Sequence, residues 1–456
     1  MRLIDHIKQN AQLRYFDAET HKSVAFNALD IDFFDKKDKK ALAFLYLDNS
    51  LDAVHAFWTF YNSPHALVLL NPKLNNDFKQ ALEKNYQPQY IYDPSRESIE
   101  TYEEKSFINK QIIFENHPAK TPFHTDIKVL LSTSGTTGTP KLVKLSEANL
   151  LANAQSITAY LPISTDDVAP LNLSICYAYG LSVLTSNALA GGTIVCTNKD
   201  IMNKDFWADF DNLGYTSLAG VPYVYEMLNR IGFLKKNYPN LRYMTQAGGK
   251  LSAKLAELFH THLKNQNKEF YIMYGQTEAT ARMAYLHPAH IETKLESIGK
   301  AIPNGSFSID TDTQELIYKG PNVFGGYATK AADLVTFDQP NALRTGDIAR
   351  CDDEGFYYIT GRLKRFVKIF GTRTNLDEVE TLLKNHFVGT TFMTLGKNDE
   401  KLVVCMHNAD ISDSEIKAFL KESMHIHPSV VLVRVLDEIP ITANGKIDYK
   451  AIEVLL

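Results

Sequence analysis

The chain has 456 residues, of which 45% are hydrophobic and 22% are charged, a composition typical of a globular protein with a large core. The formal net charge of −5 provides no basic excess, so we expect no nucleic-acid partner. No stretch approaches about 18 consecutive apolar residues and the amino terminus lacks an apolar signal region, so we expect no membrane span and a cytoplasmic location. The four cysteines form no CxxC pair and are expected to be buried free thiols.

The first predicted elements are two strands that flank a helix. Apolar runs predict strands at residues 42–47 and 66–70, and the stretch 50–61 between them predicts a helix. Such a unit favours parallel pairing, because its crossover needs a helix-sized connection. The same alternation predicts further strands at 127–132, 168–173, 193–196 and 270–274, a helix at 146–160 capped by Ser146, and a helix at 181–189. We therefore expect an α/β fold with helices on both faces of the sheet.

The pattern changes after about residue 290. Short strands separated by turn residues, at 306–318, 348–351 and 355–359, predict a β-rich subdomain. Beyond Arg362 the pattern predicts a small α+β unit with helices at 376–385 and 412–424 and strands near 390–395, 402–407 and 430–435. We therefore expect a large amino-terminal α/β domain over residues 1–362 and a small carboxy-terminal domain over residues 363–456.

The sequence TSGTTGTPK, residues 133–141, directly follows the predicted strand 127–132. Its glycines let backbone N–H groups converge on an anion, its hydroxyls add donors, and Lys141 adds a positive charge. The spacing differs from a Walker A motif, which requires G-x-x-x-x-G-K-[ST]. Taken alone, the run indicates either an anion-binding loop or a flexible surface loop.

Four later motifs each allow a functional and a structural interpretation. In YGQTEAT (274–280), Tyr274 suits stacking on a base, Thr277 phosphate contact and Glu278 Mg²⁺ binding, but an ordinary strand–turn fits equally well. In RTGD (344–347), Asp347 suits ribose hydroxyls or a turn cap. The basic run GRLKRFVKIFG (361–371) fits a solvated face, and Lys446 in NGKID fits an exposed β-turn.

The order of these five motifs resembles that of the AMP-forming adenylating enzymes, the superfamily of acyl- and aryl-CoA synthetases, peptide-synthetase adenylation domains and firefly luciferase. The resemblance covers residues 41–446. It implies a large amino-terminal domain joined at a hinge to a small, mobile carboxy-terminal domain. It also implies two half-reactions. A carboxylate attacks the α-phosphate of MgATP to give acyl-adenylate and pyrophosphate, and a thiol of CoA or of a carrier protein's phosphopantetheine then displaces AMP.

The resemblance also implies roles for individual residues. The residues implied to bind ATP are Thr133, Ser134, Gly135, Thr136, Thr137, Gly138, Thr139, Lys141, Gly248, Tyr274, Gly275, Gln276, Thr277, Asp347 and Arg362. Glu278 is the implied Mg²⁺ ligand, and Lys446 is the implied bridge between the carboxylate and the α-phosphate. The implied catalytic set is Lys141, Thr277, Glu278 and Lys446. Lys364 falls at the hinge, and Gly371 falls in the loop that lines the thiol tunnel.

Residues 174–192, SICYAYGLSVLTSNALAGG, indicate the kind of acid. Amino-acid adenylation domains carry FDxSV here, with an aspartate that pairs with the substrate ammonium, and Gly180 stands at that position. A buried ammonium would lack its counter-charge, so we expect an aryl or fatty acid without an α-amino group. Many acyl- and aryl-CoA synthetases carry HxxGL, and Tyr177 replaces that histidine. The predicted acyl pocket contains Tyr177, Tyr179, Gly180, Tyr223, Ala247 and Gly248, although core packing explains the tyrosines equally well.

Three hypotheses remain open from the sequence. The first is an acid–thiol ligase that uses CoA, and the second is a stand-alone acyl- or aryl-carrier-protein ligase. No carrier segment is expected after Lys446, so a carrier would be a separate partner. The third is a catalytically degenerate nucleotide-binding or scaffold protein on the same fold. The presence of Lys141, Glu278, Asp347 and Arg362 together with Lys446 argues against the third.

Overall fold

A computed structural model describes residues 1–117, 122–132, 141–363, 365–369, 372–397, 401–407, 411–442 and 447–456. The chain forms two compact units. The first comprises Met1–Ser306 and Lys319–Leu343, and the second comprises Phe307–Tyr318 and Arg344–Leu456. Most of the predicted β-rich subdomain, which covers residues 306–359, therefore belongs to the same unit as the carboxy-terminal residues. The domain boundary expected at residue 362 falls inside the second unit and stays a prediction.

The described residues form eleven α-helices and 26 β-strands. The helices are α1 (Leu3–Lys8), α2 (Leu51–Asn62), α3 (Asn76–Tyr86), α4 (Glu147–Tyr160), α5 (Ala178–Ala190), α6 (Lys204–Asn212), α7 (Pro222–Arg230), α8 (Ala253–Lys264), α9 (Leu376–His386), α10 (Asp413–Met424) and α11 (Tyr449–Val454). None of these helices is both long and apolar enough to cross a membrane.

The first strands are β1 (Arg14–Asp17), β2 (Lys22–Ala25), β3 (Leu42–Tyr46), β4 (Ala66–Leu70), β5 (Tyr90–Tyr92), β6 (Glu103–Ser106), β7 (Ile112–Glu115), β8 (Ile127–Ser132), β9 (Leu142–Ser146), β10 (Val168–Pro170), β11 (Thr193–Cys196), β12 (Ser217–Gly220) and β13 (Tyr243–Gln246). The later strands are β14 (Glu269–Tyr274), β15 (Ala284–Leu286), β16 (Lys300–Ala301), β17 (Ser306–Ile309), β18 (Glu315–Lys319), β19 (Tyr327–Ala328), β20 (Leu343–Cys351), β21 (Tyr357–Arg362), β22 (Phe366–Ile369), β23 (Thr372–Asn375), β24 (Phe392–Lys397), β25 (Lys401–Met406) and β26 (Val431–Val435).

Three sheets build the first unit. The largest has the strand order β19–β9–β8–β4–β3–β5–β7–β6, and its centre, β8–β4–β3–β5, is parallel. The second sheet has the order β10–β11–β1–β2, and the third has the order β12–β13–β14–β15–β16. Every side chain of β3 and β4 is buried, as expected for parallel strands that are covered on both faces. The predicted parallel strand–helix–strand unit is therefore present as β3, α2 and β4.

Helix α4 begins where the sequence predicts. The Ser146 side chain accepts a hydrogen bond from the Asn149 backbone N–H, and the Asn149 side chain accepts one from the Ser146 N–H, at 3.1 and 2.9 Å. This reciprocal pair satisfies backbone donors that the first turn of a helix otherwise leaves without partners. The amide nitrogen of Asn149 also donates to the carbonyls of Pro321 and Val323, which joins α4 to that distant segment.

Strand β9 was not among the predicted elements, which left residues 142–145 unassigned between the 133–141 loop and the helix predicted at 146–160. β9 pairs antiparallel with β8, with Ser132 opposite Leu142. All five of its residues are buried, so the segment lacks the alternation of apolar and polar residues by which a half-buried strand is recognised in a sequence. Residues 133–140, which lie outside the described part of the chain, therefore connect two neighbouring antiparallel strands.

The second unit contains the remaining sheets. Strands β17, β18, β20 and β21 form one sheet in that order, and three terminal strand residues, Ser306, Lys319 and Leu343, belong to the first unit. A hairpin, β22–β23, precedes the three-stranded sheet β24–β25–β26. Apolar side chains from α9, α10 and this last sheet share one core, which includes Val379, Leu383, Phe392, Val404 and Ile416.

The prediction of four buried cysteines is wrong for one residue. Cys176, Cys196 and Cys405 are buried free thiols, whereas Cys351 is exposed. Cys351 ends β20 immediately before the turn at Asp352, where the strand leaves its sheet.

Replacing Ser146 with alanine should lower the free energy of unfolding by about 1 kcal/mol, because the first turn of α4 loses its side-chain acceptor. Urea unfolding followed by circular dichroism measures this difference. Gln155 is exposed on the same helix and provides the control, since Gln155→Ala should change stability by less than about 0.5 kcal/mol. Equal effects of the two substitutions would contradict a capping role for Ser146.

Candidate active site

The turn after β14 carries the predicted Mg²⁺ ligand. Gly275 opens this turn, and a Cβ atom on it would lie 1.6 Å from the carbonyl oxygen of Ala281, so only glycine fits. Thr280 and Ala281 have φ values of 57° and 119°, which are unusual for residues with a side chain. The chain therefore folds back tightly on itself between Gly275 and Ala281, and Glu278 lies within this fold.

Hydrogen bonds from a distant segment hold the turn. The buried Asn322 amide nitrogen donates to the carbonyls of Ala279 and Arg282, at 2.7 and 2.8 Å. In return, the Thr280 hydroxyl donates to the Asn322 carbonyl at 2.7 Å. Asn322 lies between the two carbonyls that accept from Asn149 of α4. Three segments that are far apart in sequence thus fix the position of Glu278.

The structure brings two predicted residues, Lys141 and Glu278, to the same tyrosine. The Tyr327 hydroxyl donates to Glu278 Oε1 at 2.8 Å, and Lys141 Nζ lies 5.6 Å from the centroid of the Tyr327 ring. Burial, together with the Glu278 carboxylate, raises the pKa of Tyr327 above its ordinary value, so its hydroxyl remains a donor. Tyr327 was not among the residues predicted from the sequence. The signal was the run FGGY (324–327), in which two glycines precede the tyrosine.

The other predicted residues of this motif also lie at the strand end. Gln276 Nε2 lies 3.4 Å from the Tyr274 hydroxyl, and Thr277 opens a single 3₁₀ turn. Gly248 follows β13, the strand next to β14, and has a φ of 84°. The carboxyl ends of parallel strands meet at one edge of a sheet, so these residues share that edge. Their ATP-binding roles stay predictions.

Helix α5 and its N-cap residue carry half of the predicted acyl pocket, namely Tyr177, Tyr179 and Gly180. Tyr177 is its N-cap residue, and burial raises the pKa of this phenol. The Tyr179 hydroxyl lies within 2.9 Å of both oxygens of Thr245, and its ring stacks on the guanidinium of Arg282, 4.1 Å from the ring centroid. A Cβ atom on Gly180 would lie 2.1 Å from the Ser174 carbonyl oxygen. The backbone therefore occupies the space that an aspartate at position 180 would need.

Two further predicted pocket residues differ in exposure. Tyr223, in the first turn of α7, is 38% exposed, whereas Ala247 is buried. The buried tyrosine of that helix is Tyr225, which donates to the Thr245 carbonyl at 2.8 Å. The side chain of Tyr223 faces solvent because it lies on the outer face of the helix, opposite Tyr225. Its pocket role stays a prediction.

In the second unit, the structure brings Asp347 and Arg362 together. The two residues are opposite each other on β20 and β21, and Arg362 Nε lies 3.3 Å from Asp347 Oδ1. Asp347 is buried, while the Arg362 side chain is 63% exposed. A carboxylate held by a cross-strand cation can accept hydrogen bonds from further donors, because an ionised carboxylate has about four acceptor positions.

Several predicted residues lie outside the described part of the chain, namely Thr133, Ser134, Gly135, Thr136, Thr137, Gly138, Thr139, Lys364, Gly371 and Lys446.

A buried carboxylate that the sequence did not reveal connects two segments of the second unit for which the sequence predicts functional roles. Glu380 accepts hydrogen bonds from Arg365 Nη2 at 2.6 Å, the Tyr449 hydroxyl at 2.9 Å and the Thr394 N–H at 2.7 Å. The Arg365 guanidinium also stacks on the Tyr449 ring, 3.9 Å from its centroid. Arg365 follows the predicted hinge residue, and Tyr449 comes three residues after Lys446.

Comparisons with known proteins identify the family of this chain. A family model of AMP-binding enzymes matches residues 38–328. The probable CoA ligase CCL9 of Humulus lupulus is 24% identical over 352 residues, which cover 72% of this chain and 66%, just under two thirds, of that protein. The 2-succinylbenzoate–CoA ligase of Bacillus cereus is 27% identical over 336 residues, which cover 70% of this chain and 68% of that protein.

The fold also matches solved structures. The o-succinylbenzoate CoA synthetase of Bacillus subtilis, solved with the acyl-adenylate intermediate OSB-AMP, superposes with a TM-score of 0.77 at 21% identity. The match covers 98% of this chain and 96% of that chain. The predicted α/β fold is therefore confirmed. Since the family model spans more than half of the sequence, this chain belongs to the family of AMP-binding enzymes.

Replacing Glu380 with alanine should destabilise the second unit by about 1.5–3 kcal/mol, because the half-buried Arg365 loses one of its two carboxylate partners, Glu380 and Asp377. Hydrogen exchange of the backbone amides in α9 and β24 measures the loss. Glu378, an exposed glutamate on the same helix, provides the control variant Glu378→Ala. Faster exchange in the Glu378 variant than in the Glu380 variant would show that Glu380 is not the residue that holds this network.

Proposed function

We propose that this protein is an AMP-forming acid–thiol ligase that joins a carboxylic acid to CoA in two half-reactions. The observation that carries the proposal is the arrangement of Lys141, Tyr327 and Glu278 on a fold of the AMP-binding family. It supports a polyphosphate site, because a cation, a neutral hydroxyl donor and a carboxylate adjoin one another at the end of the Gly- and Thr-rich segment. Relatives that are named CoA ligases support the same activity.

The chemistry explains why these residues suffice. A carboxylate is already a nucleophile, so its attack on the α-phosphate needs no general base. The reaction instead needs alignment and neutralisation of charge where two anions approach each other. In our proposal Lys141 holds the departing phosphates and Lys446 bridges the acid and the α-phosphate. Asp347 accepts hydrogen bonds from the ribose hydroxyls, with Arg362 holding its carboxylate.

Mg²⁺ fits the donors at Glu278. A carboxylate oxygen is the ligand type that Mg²⁺ prefers, and the ion usually takes one or two protein carboxylates with phosphate oxygens and water. When bound, Mg²⁺ supplies neutralisation of the phosphate charge. The Tyr327 hydroxyl occupies only one lone pair of the Glu278 carboxylate and orients it. This hydrogen bond leaves other lone pairs of Glu278 to bind the ion.

The substrate we propose is an acid without an α-amino group. Gly180 supplies no counter-charge for an ammonium. The backbone around Ser174 also leaves no room for an acidic side chain at position 180. The Bacillus cereus relative, named for an acid that also has no amino group, supports this class. CoA is the acceptor we favour because the relatives are named CoA ligases. A separate carrier protein bearing phosphopantetheine is the second acceptor to test.

Two assays test the proposal. ATP–pyrophosphate exchange across a panel of aryl, fatty and amino acids should show exchange with at least one acid that lacks an amino group. Absence of exchange with every acid would contradict the proposal and favour a scaffold protein on the same fold. Mass spectrometry of products formed with CoA or with a phosphopantetheinylated carrier then distinguishes the two acceptors.

Replacing Lys446 with alanine should lower the rate of adenylation by about 10²–10³, because a preorganised cation is lost where two anions meet. Thiolation of a pre-formed acyl-adenylate should be retained, since Lys446 is proposed to act in the first half-reaction. Single-turnover assays of each half-reaction measure both rates, with Lys450→Ala as the control. Equal loss in both half-reactions would contradict the assigned role.

Replacing Glu278 with glutamine should raise the Mg²⁺ concentration needed for half-maximal exchange by about tenfold or more, because a neutral amide replaces an anionic ligand. Titration of exchange activity with Mg²⁺ measures the shift. Glu257, an exposed glutamate of α8, provides the matched control Glu257→Gln. An unchanged Mg²⁺ requirement in the Glu278 variant would remove this residue from the metal site.

A further inference from the structure

The Thr345 hydroxyl lies next to Asp347, the residue proposed to bind the ribose. This hydroxyl accepts a hydrogen bond from the Asp347 backbone N–H at 3.1 Å and donates one to the Leu316 carbonyl of β18 at 2.7 Å. It therefore ties the backbone of Asp347 to the neighbouring strand. Gly346, between the two residues, has a φ of 75°, a conformation that favours glycine. The chain thus departs from regular strand geometry immediately before Asp347.

The buried carboxylate of Glu315 holds the same departure from its other side. Glu315 Oε1 accepts a hydrogen bond from the Gly346 backbone N–H at 2.9 Å, and its Oε2 accepts one from Arg344 Nε at 2.7 Å. Arg344 also donates from Nη2 to Asp310 at 3.0 Å. Both oxygens of Glu315 are therefore used to hold the residues that lead into Asp347. Arg344 is engaged by two carboxylates and so belongs to this support.

The position of the Asp347 carboxylate depends on this support. A misplacement of about 1 Å at a positioned group costs roughly 100-fold in rate, so a carboxylate that binds hydroxyls must be held firmly. Arg362 contacts Asp347 at 3.3 Å, but its side chain is 63% exposed, and exposed ion pairs contribute little. The backbone must therefore fix Asp347, and Thr345 and Glu315 are the side chains that bind this backbone.

We propose that Thr345 and Glu315 are positioning residues that make the site select ATP over deoxyribonucleotides. They hold Asp347 where its carboxylate accepts hydrogen bonds from the ribose hydroxyls, and neither residue contacts the nucleotide itself. The inference rests on the ribose-binding role of Asp347 in the proposed function. A nucleotide without these hydroxyls leaves a buried carboxylate short of donors, which is costly. Selection against it is strong only while Asp347 keeps its place.

Binding of ATP and of 2′,3′-dideoxy-ATP to the full chain, measured by calorimetry with Mg²⁺ present, tests this assignment without any acid. The intact protein should bind ATP about 10–100-fold more tightly than the dideoxy nucleotide. Equal affinities overturn the assignment and leave adenylation to be judged by pyrophosphate exchange. Failure to bind either nucleotide overturns both proposals. Selective binding without exchange for any acid overturns the ligase proposal and supports the positioning role.

Two variants and a matched control then test the positioning residues. Thr345→Val removes the hydroxyl but keeps the shape of the side chain, and it should lower the affinity ratio by about fivefold or more. Glu315→Gln should also lower it, because an amide cannot pair with the charge of Arg344. In the control Thr360→Val, the lost hydroxyl donates to the Ile348 carbonyl of the same sheet, at 3.2 Å, and the ratio should stay unchanged.

The ratio separates positioning from a purely structural role. A variant that loses part of its folded population binds fewer molecules of each nucleotide, but the ratio of the two affinities stays the same. Thr345→Val decides the outcome by itself if Glu315→Gln fails to fold, since it removes no buried charge. An unchanged ratio in Thr345→Val, or an equal fall in Thr360→Val, overturns the assignment.

Discussion

The side-chain amide of Asn322 holds the turn on which the proposed ATP site depends. It donates to the carbonyls of Ala279 and Arg282, and the residues between them, Thr280 and Ala281, have positive φ. Such backbone conformations cost non-glycine residues about 1–3 kcal/mol each, so the turn cannot rely on its own local preferences. Its geometry depends on a donor that lies about forty residues away in the chain.

The same segment places the other partners of the site. Asn149, on the first turn of α4, donates to the carbonyls on both sides of Asn322 and so fixes that stretch of backbone. Tyr327 follows it and reaches Glu278. A helix cap, a strained turn and a tyrosine thus form one connected unit. The second unit uses the same principle, since one buried carboxylate, Glu380, joins segments that follow the predicted hinge and the predicted catalytic lysine.

What the sequence predicts correctly is mostly local. The unit β3–α2–β4 and the cap of α4 follow from apolar periodicity and from a capping residue at the right spacing. Strand β9 was missed because it is short and fully buried, whereas other missed features depend on distant partners. Strand β1 pairs with β11, far along the chain, and the Tyr327 hydroxyl is 49 positions from its acceptor. No local pattern in the sequence predicts such contacts. The motif around Glu278 was recognised because it contains the residue types that phosphate and Mg²⁺ binding require.

The groups around the predicted acyl pocket differ from those that an amino-acid substrate would require. At position 180 the backbone around Ser174 excludes an acidic side chain, and at position 282 a buried guanidinium faces the same region. The Arg282 guanidinium would repel a substrate ammonium, and no carboxylate at position 180 would attract it. Burial raises the pKa of Tyr179, so its ring covers the guanidinium as a neutral group. The neutral aromatic face of Tyr179 therefore compensates part of the charge of the buried Arg282 guanidinium.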